Sequence, residues 1–327
     1  MRSITLMMVT LTIFLFLCNV CIANDNKNTN VNDKEWSKAF KFGENDGGFM
    51  ESIQQTSDGG YILAGHIDPK NLDNDGDTLY PWLIKTDASG NKQWEKKYNI
   101  VGNKQGDIID LTGSFSSVLQ TSDGGYILAG GDGSRTTPNG FILKIDETGK
   151  EQWNKIFSDC PVENIYSVMQ SSNGGYILTG VGSFDTHYGT QCYAGKALII
   201  KIDENGEEQW CKSFDKMSYV YSSQRTSDGG YILLGETQGQ KLSEYSRTND
   251  SDAIFIKIDE NGNQEWTKIF SGKYNDGPSE IQQTSEGGYI FTGYTLSYSS
   301  EGIEQEDKQK MSIWLVKYPL RNNLIQF

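Results

Sequence analysis

The stretch QTSDGGYILAG, running from Gln55 to Gly65, decides the fold of this chain because it does not stand alone. It returns unchanged from Gln120 to Gly130, then as QSSNGGYILTG from Gln170, RTSDGGYILLG from Arg225 and QTSEGGYIFTG from Gln283. Self-similarity at a near-constant period marks a repeat architecture in which each copy is one supersecondary unit. Within a copy, the Asp and the Gly pair carry the chemistry of a tight turn: Asp caps it through its carboxylate and Gly accepts positive φ. Ser52 to Thr56 precedes that turn and the apolar Tyr61 to Gly65 follows it, so the stretch reads as a hairpin.

Working outward, a second block follows each hairpin. It reads WLIKTDASGNKQW from Trp82 to Trp94, FILKIDETGKEQW from Phe141 to Trp153, LIIKIDENGEEQW from Leu198 to Trp210 and FIKIDENGNQEW from Phe255 to Trp266. Each is a strand, an Asp-x-x-Gly turn and a strand that opens on Trp, so every unit holds four short strands and no helical period. That is the pattern of a propeller blade. A continuous apolar run such as Tyr231 to Leu234 fits a strand covered on both faces by neighbouring blades. The last unit has Ile313 to Lys317, then Tyr318 and Pro319, and lacks the closing Trp strand, while Glu35 to Phe40 (EWSKAF) is an orphan copy of one. The expectation is an all-β chain: a five-bladed β-propeller of four-stranded antiparallel blades over residues 35–320, its ring closed by the N-terminal strand as outermost strand of the last blade.

The trios Asp87/Gly90/Trp94, Asp146/Gly149/Trp153, Asp203/Gly206/Trp210 and Asp259/Gly262/Trp266 resemble the last hairpin of the tryptophan-docked propellers of the quinoprotein-like superfamily. The hairpin is one residue shorter than in that family, no adjacent Cys pair is present, and the chain is short for a full dehydrogenase. The resemblance therefore implies the fold and no quinone cofactor. The complete repeat is similar to the QTSDGGYILAG-type repeats of secreted or surface proteins in prokaryotes, a group that brings no established activity.

The first 23 residues read as a signal peptide: Arg2 is their one charge, Leu6 to Val20 is almost unbroken apolar, and Cys21-Ile22-Ala23 offers the small residues of a cleavage site. Leu17 and Val20 stand where a lipid-anchor signal needs small residues, which argues against lipidation at Cys18 or Cys21. A secreted or cell-surface protein follows, with a flexible polar segment at 24–34 and a tail at 321–327. A net charge of −14 disfavours nucleic acid and anionic membrane as partners. No second apolar stretch of about 20 residues exists to span a membrane.

Blade geometry sends the SDGG and Asp-x-x-G turns to one face and the middle loops and blade links to the other. The turns barely vary, so their acids read as structural. The opposite face carries the variable loops 66–81, 131–140, 181–196, 236–252 and 294–311 and the long link 99–116, the usual place for binding residues on a rigid scaffold. Tyr80, Tyr188, Tyr193, Tyr245, Tyr294 and Tyr298 are strung along it. Exposed Tyr suits stacking on a glycan or packing on a protein partner, so a non-catalytic binding role follows.

The alternative is an extracellular carbohydrate-active enzyme, because furanose-processing glycosidases include five-bladed propellers with acids at the channel mouth. Here the channel-side strand starts are Glu51, Ser116, Tyr166, Tyr221 and Ser279-Glu280. Glu51 and Glu280 could form an acid/base pair, with no third central acid evident. His66 and His187 are too few for a multi-His metal site, and no Ser or Cys lies in a nucleophile elbow. Asn71, Asp73, Asp75 and Asp77 alternate like the first half of a calcium loop, with Trp82 where a bidentate Glu would stand. Cys160 and Cys192 fall on the same face of one blade and are expected to form a disulfide, whereas Cys211 reads as a surface thiol. Asn249-Asp250-Ser251 is a glycosylation sequon, meaningful in a eukaryotic host.

Overall fold

The computed structural model describes residues 36–41, 47–68, 79–104, 107–111, 113–132, 139–157, 162–183, 195–237, 241–243, 246–247, 251–272, 274–297 and 311–319. They form consecutive antiparallel meanders in the order the repeats predict. Blade 1 consists of Gly47–Gln55, Tyr61–Asp68, Tyr80–Thr86 and Lys92–Lys97. Blades 2, 3 and 4 repeat this four-stranded order, beginning at Ser114–Gln120, Val162–Gln170 and Met217–Arg225. Among the described residues blade 5 has three strands, Asp276–Gln283, Tyr289–Thr295 and Ser312–Tyr318. Two small hairpins interrupt the expected loops: Ile100–Lys104 with Asp107–Leu111 inside the link after blade 1, and Lys241–Ser243 with Ser246–Arg247 inside blade 4.

The turns form as their chemistry requires. Gly59 adopts φ +81° and Gly90 φ +74°, and Asp58 Oδ1 accepts the Gly60 N–H at 3.0 Å while Asp87 Oδ1 accepts the N–H groups of Ser89 and Asn91 at 2.8 Å. A lysine on each third strand fastens the turn. Lys85 Nζ is almost wholly buried, lies 2.8 Å from Asp58 Oδ2, and also donates to the Thr86 carbonyl and Gln93 Oε1. Lys144 does the same with Asp123 and Gln152, Lys257 with Asp228 and Glu265, and Lys201 with Asn173.

Apolar cores lie between consecutive blades. Ile62, Ala64 and Leu83 of blade 1 meet Phe115, Tyr126 and Phe141 of blade 2, and comparable clusters join blades 2 to 3, 3 to 4 and 4 to 5. Side chains of strands buried on both faces explain the unbroken apolar runs. Polar pins recur at the junctions: Ser52 Oγ accepts the Val118 N–H, Ser117 Oγ the Val168 N–H and Ser222 Oγ the Ile281 N–H. Each closing Trp docks on the next blade. A Cβ added at Gly149, Gly206 or Gly262 would press on the ring of Trp94, Trp153 or Trp210 respectively, so only Gly lets the indole settle there.

Residues 36–40 follow the same rule on blade 1. The ring of Trp36 covers Gly90 and lies 5.9 Å from that of Tyr61, Lys38 donates to Asn91 Oδ1 at 2.9 Å, and Phe40 packs with Ile67, Trp82 and Ile84. The segment is extended without being part of a sheet, and Ser312–Tyr318 ends the sheet of blade 5. Ile313 (91 % exposed) and Leu315 (68 %) are uncovered on the side of blade 5 away from blade 4. No helix among the described residues is long and apolar enough to cross a membrane.

Candidate functional site

Every inner strand carries a β-bulge at the end opposite its turn. Met50 pairs with Gly65 and Ser52 with Ala64, which leaves Glu51 as the extra residue, and the same slip leaves Ser116, Tyr166, Tyr221 and Ser279 in the other blades. A bulge bends its strand and redirects a side chain. The closing Gly of each repeat makes it possible: a Cβ at Gly65, Gly130, Gly180, Gly235 or Gly293 would overlap the backbone carbonyl of Phe49, Ser114, Asn164, Tyr219 or Gly277. The five bulges stand in equivalent places at the loop-bearing end of the blades, and this end is the mouth.

The electrostatics tie the blades together there. Burial pushes the Tyr166 phenol of blade 3 far up, helped by Tyr219 of blade 4, Glu163 of its own strand and Glu51 of blade 1. Burial, then the charge and hydrogen bond of Glu236, push Tyr221 far up, with Tyr294 of blade 5 adding to it. Groups from blades 1, 3, 4 and 5 therefore share one neighbourhood.

On the blade 1 side, the Ser114 hydroxyl donates to Glu51 Oε1 at 2.6 Å, and His66 Nδ1 lies 3.2 Å from that oxygen and 3.0 Å from Ser114 Oγ. The exposed ring of Phe49 sits 5.7 Å from the His66 imidazole. On the blade 4 side, Tyr221 and Ser251 donate their hydroxyls to Glu236 Oε2 at 3.1 and 3.3 Å, yet burial still holds the Glu236 carboxyl above its ordinary value. Glu163 occupies a second bulge, between the pairs Val162–Gly182 and Asn164–Val181, and burial alone pushes it up. The rings of Tyr219 and Tyr221 lie 6.5 Å apart, tilted by 36°. Among the described residues no lysine or arginine pairs with Glu51, Glu163 or Glu236, and no group of three or more His, Cys, Asp or Glu is arranged to hold a metal ion.

Of the residues singled out from the sequence, Glu51 and Tyr294 reach the mouth. Tyr294 lies over Gly277, and burial and the Glu236 charge raise its phenol. Tyr80 has its ring face covered by Lys97, whose Nζ sits 3.2 Å from the ring centroid. Glu280 stands one residue past the bulge, in the register position where Ser52, Ser117 and Ser222 pin neighbouring blades. Tyr188, Tyr193, Tyr245, Tyr298, the Asn71/Asp73/Asp75/Asp77 loop, Cys160 and Cys192 lie outside the described residues. Cys211 is half-buried and packs with the core between blades 2 and 3, because its strand is covered there. Sequence reasoning missed Glu163 and Glu236. Glu236 carried a signal, since it directly follows the closing Gly of its repeat, in the place of His66 in blade 1; Glu163 carried none.

No family model matches the chain, and no curated protein does. Among solved structures it is similar to a protein of unknown function from Dyadobacter fermentans DSM 18053, at TM-score 0.49 and 11% identity over 82% of this chain and 75% of that one. An endo-arabinase from Bacteroides thetaiotaomicron VPI-5482 aligns at TM-score 0.40 and 11% identity, covering 84% and 94%. A Bombyx mori GH32 beta-fructofuranosidase aligns at 0.37 and 8%, covering 83% of this chain and 63% of the enzyme.

Proposed function

We propose that this protein is a secreted or surface-associated, non-catalytic binding protein that holds a glycan at the bulge-lined mouth. The observation that supports the reading is the repetition of one bulge in five strands, at Glu51, Ser116, Tyr166, Tyr221 and Ser279. Carboxylates and hydroxyls beside exposed aromatic faces are what a sugar ring needs, hydrogen bonds at its edge and stacking on its face. In this reading the first 23 residues are removed and residues 35–40 complete blade 5, closing a five-bladed ring. A Cys160–Cys192 bridge and calcium on Asn71, Asp73, Asp75 and Asp77 would order loops of the same face. The test is a glycan array probed with the chain lacking residues 1–23, repeated with Tyr219→Ala. Binding that falls by about tenfold or more in the variant supports the site. A silent array, or binding that Tyr219→Ala leaves intact, overturns it.

A second reading, glycoside hydrolysis, draws on the raised Glu236 and Glu163 carboxyls. An acid held up by burial can protonate a leaving group while a second carboxylate, Glu51, acts as base or nucleophile. Release of reducing sugar from a polysaccharide panel, abolished by Glu236→Gln, would establish it in place of pure binding.

A further inference from the structure

Resting on the reading that the mouth holds a glycan, we propose that the glycan is an amino sugar, bound through a free ammonium group that takes its place beside Glu163 and Glu236 while the pyranose ring lies on Tyr219 and Tyr221. The argument starts from how the protein treats carboxylates elsewhere. On the turn face, Asp58, Asp123, Asp228 and Glu286 each face a lysine ammonium at 2.8 to 3.1 Å. Among the described residues at the mouth, Glu236 has two neutral hydroxyl donors and Glu163 has none, although both are more deeply enclosed than the turn acids. Removing a carboxylate from water without a cation is costly, so such a group gains most from a ligand that brings the missing charge.

The surroundings fit that charge on a sugar. Tyr166, Tyr219, Tyr221 and Tyr294 supply aromatic faces and hydroxyls from three blades, and Tyr219 is 41 % exposed, so a ring face is open to solvent. Aromatic faces attract cations as well as the C–H face of a pyranose, and both attractions act in the same direction for a protonated amine on a sugar ring. The Asn164 side chain, next to the Glu163 bulge, hydrogen-bonds Tyr166, and its oxygen lies buried against Gly131 with no partner among the described residues. A bare metal ion fits less well, because no three acidic or histidine groups among the described residues are arranged around one point. The net charge of −14 would speed the approach of a cationic oligosaccharide.

The experiment titrates the processed chain by calorimetry with a glucosamine tetramer and, separately, with its fully N-acetylated counterpart, in low and high salt. The amine form is expected to bind at least about tenfold more tightly, with a preference that shrinks in high salt and disappears in the Glu163→Gln/Glu236→Gln variant. Gln keeps the shape of Glu, and an unchanged unfolding midpoint shows that the variant is folded. Equal or tighter binding of the N-acetylated tetramer, lost in Tyr219→Ala, overturns the amino-sugar assignment and leaves the glycan mouth standing. Absence of binding by both tetramers together with a silent glycan array overturns both. Calcium chloride that binds in the absence of sugar and is released by Glu163→Gln/Glu236→Gln, with no competition from the amine, assigns the acids to a metal and overturns the proposal as well.

Discussion

Asp58 stands in the turn before the second strand of blade 1 and Glu236 near the far end of the second strand of blade 4, and the protein handles these two carboxylates in opposite ways. The Lys85 ammonium, the Thr56 hydroxyl and the Gly60 N–H hold Asp58 down at about 2, against burial that is slight at that exposed turn. Asp123 also sits at about 2, where burial is outweighed by Lys144, Thr121 and Gly125. Glu236 is pushed the other way by burial, and its bonds from Tyr221 and Ser251 only moderate the effect. On the turn face Asp58, Asp123 and Asp228 engage their charge in internal bonds to buried lysines. The mouth leaves carboxyls without a cation and the exposed ring of Tyr219 beside the half-buried Tyr221, which is the condition of a surface that stabilises little and binds something.

The comparison is most severely tested where a blade meets its neighbour. Trp153→Ala should cost about 3–5 kcal/mol in denaturant unfolding, the usual loss for a large aromatic in a packed junction. Trp36→Ala makes the same substitution at the junction preceding blade 1, where the indole is 47 % exposed. Equal losses at the two sites indicate a ring closed by residues 35–40 in solution, whereas a Trp36→Ala loss near half that of Trp153→Ala leaves blade 5 open.

Next in size are two glycines at opposite ends of the repeated hairpin, Gly130 in blade 2 and Gly229 in blade 4. Gly130→Ala puts a Cβ into the Ser114 carbonyl and must deform the Ser116 bulge, so a loss of about 3 kcal/mol is expected. Gly229→Ala meets nothing within 4 Å and pays only for its φ of +90°, about 1 kcal/mol. Similar losses for both would mean that the bulges are not rigid features of the mouth.

The smallest effects separate the acids by sign. Asp123 has a folded value below its ordinary 3.8, so its contribution is present above about pH 4 and fades as pH falls toward 2. Asp123→Asn should therefore lose about 1 kcal/mol at pH 7, the full shift being reduced by solvent screening of a half-exposed group, and almost nothing at pH 2. Glu236 has a raised folded value, so its charge opposes folding as pH rises above its ordinary 4.5. Glu236→Gln should gain up to about 1 kcal/mol at pH 7 and be neutral at pH 4. Melting curves of both variants across pH 2–8 decide the matter, and loss of stability in Glu236→Gln at pH 7 would remove the contrast between the faces.

Much of this was legible in the chain. QTSDGGYILAG carries its own turn chemistry, so the hairpin, its Asp cap and its positive-φ Gly could be placed from local rules, and the recurring Trp marked the fourth strand of each unit. These features depend on residues close together in the chain, where turn geometry and side-chain alternation leave little freedom. The closing Gly of the repeat was legible as a residue and not as a reason: that it makes room for a carbonyl beside a bulge depends on the register of two strands. The mouth was decided by tertiary structure. Glu163 and Glu236 are isolated acids in their own segments, and they come near Glu51, Tyr219 and Tyr294 only through the packing of separate blades, where burial changes what a carboxyl is worth.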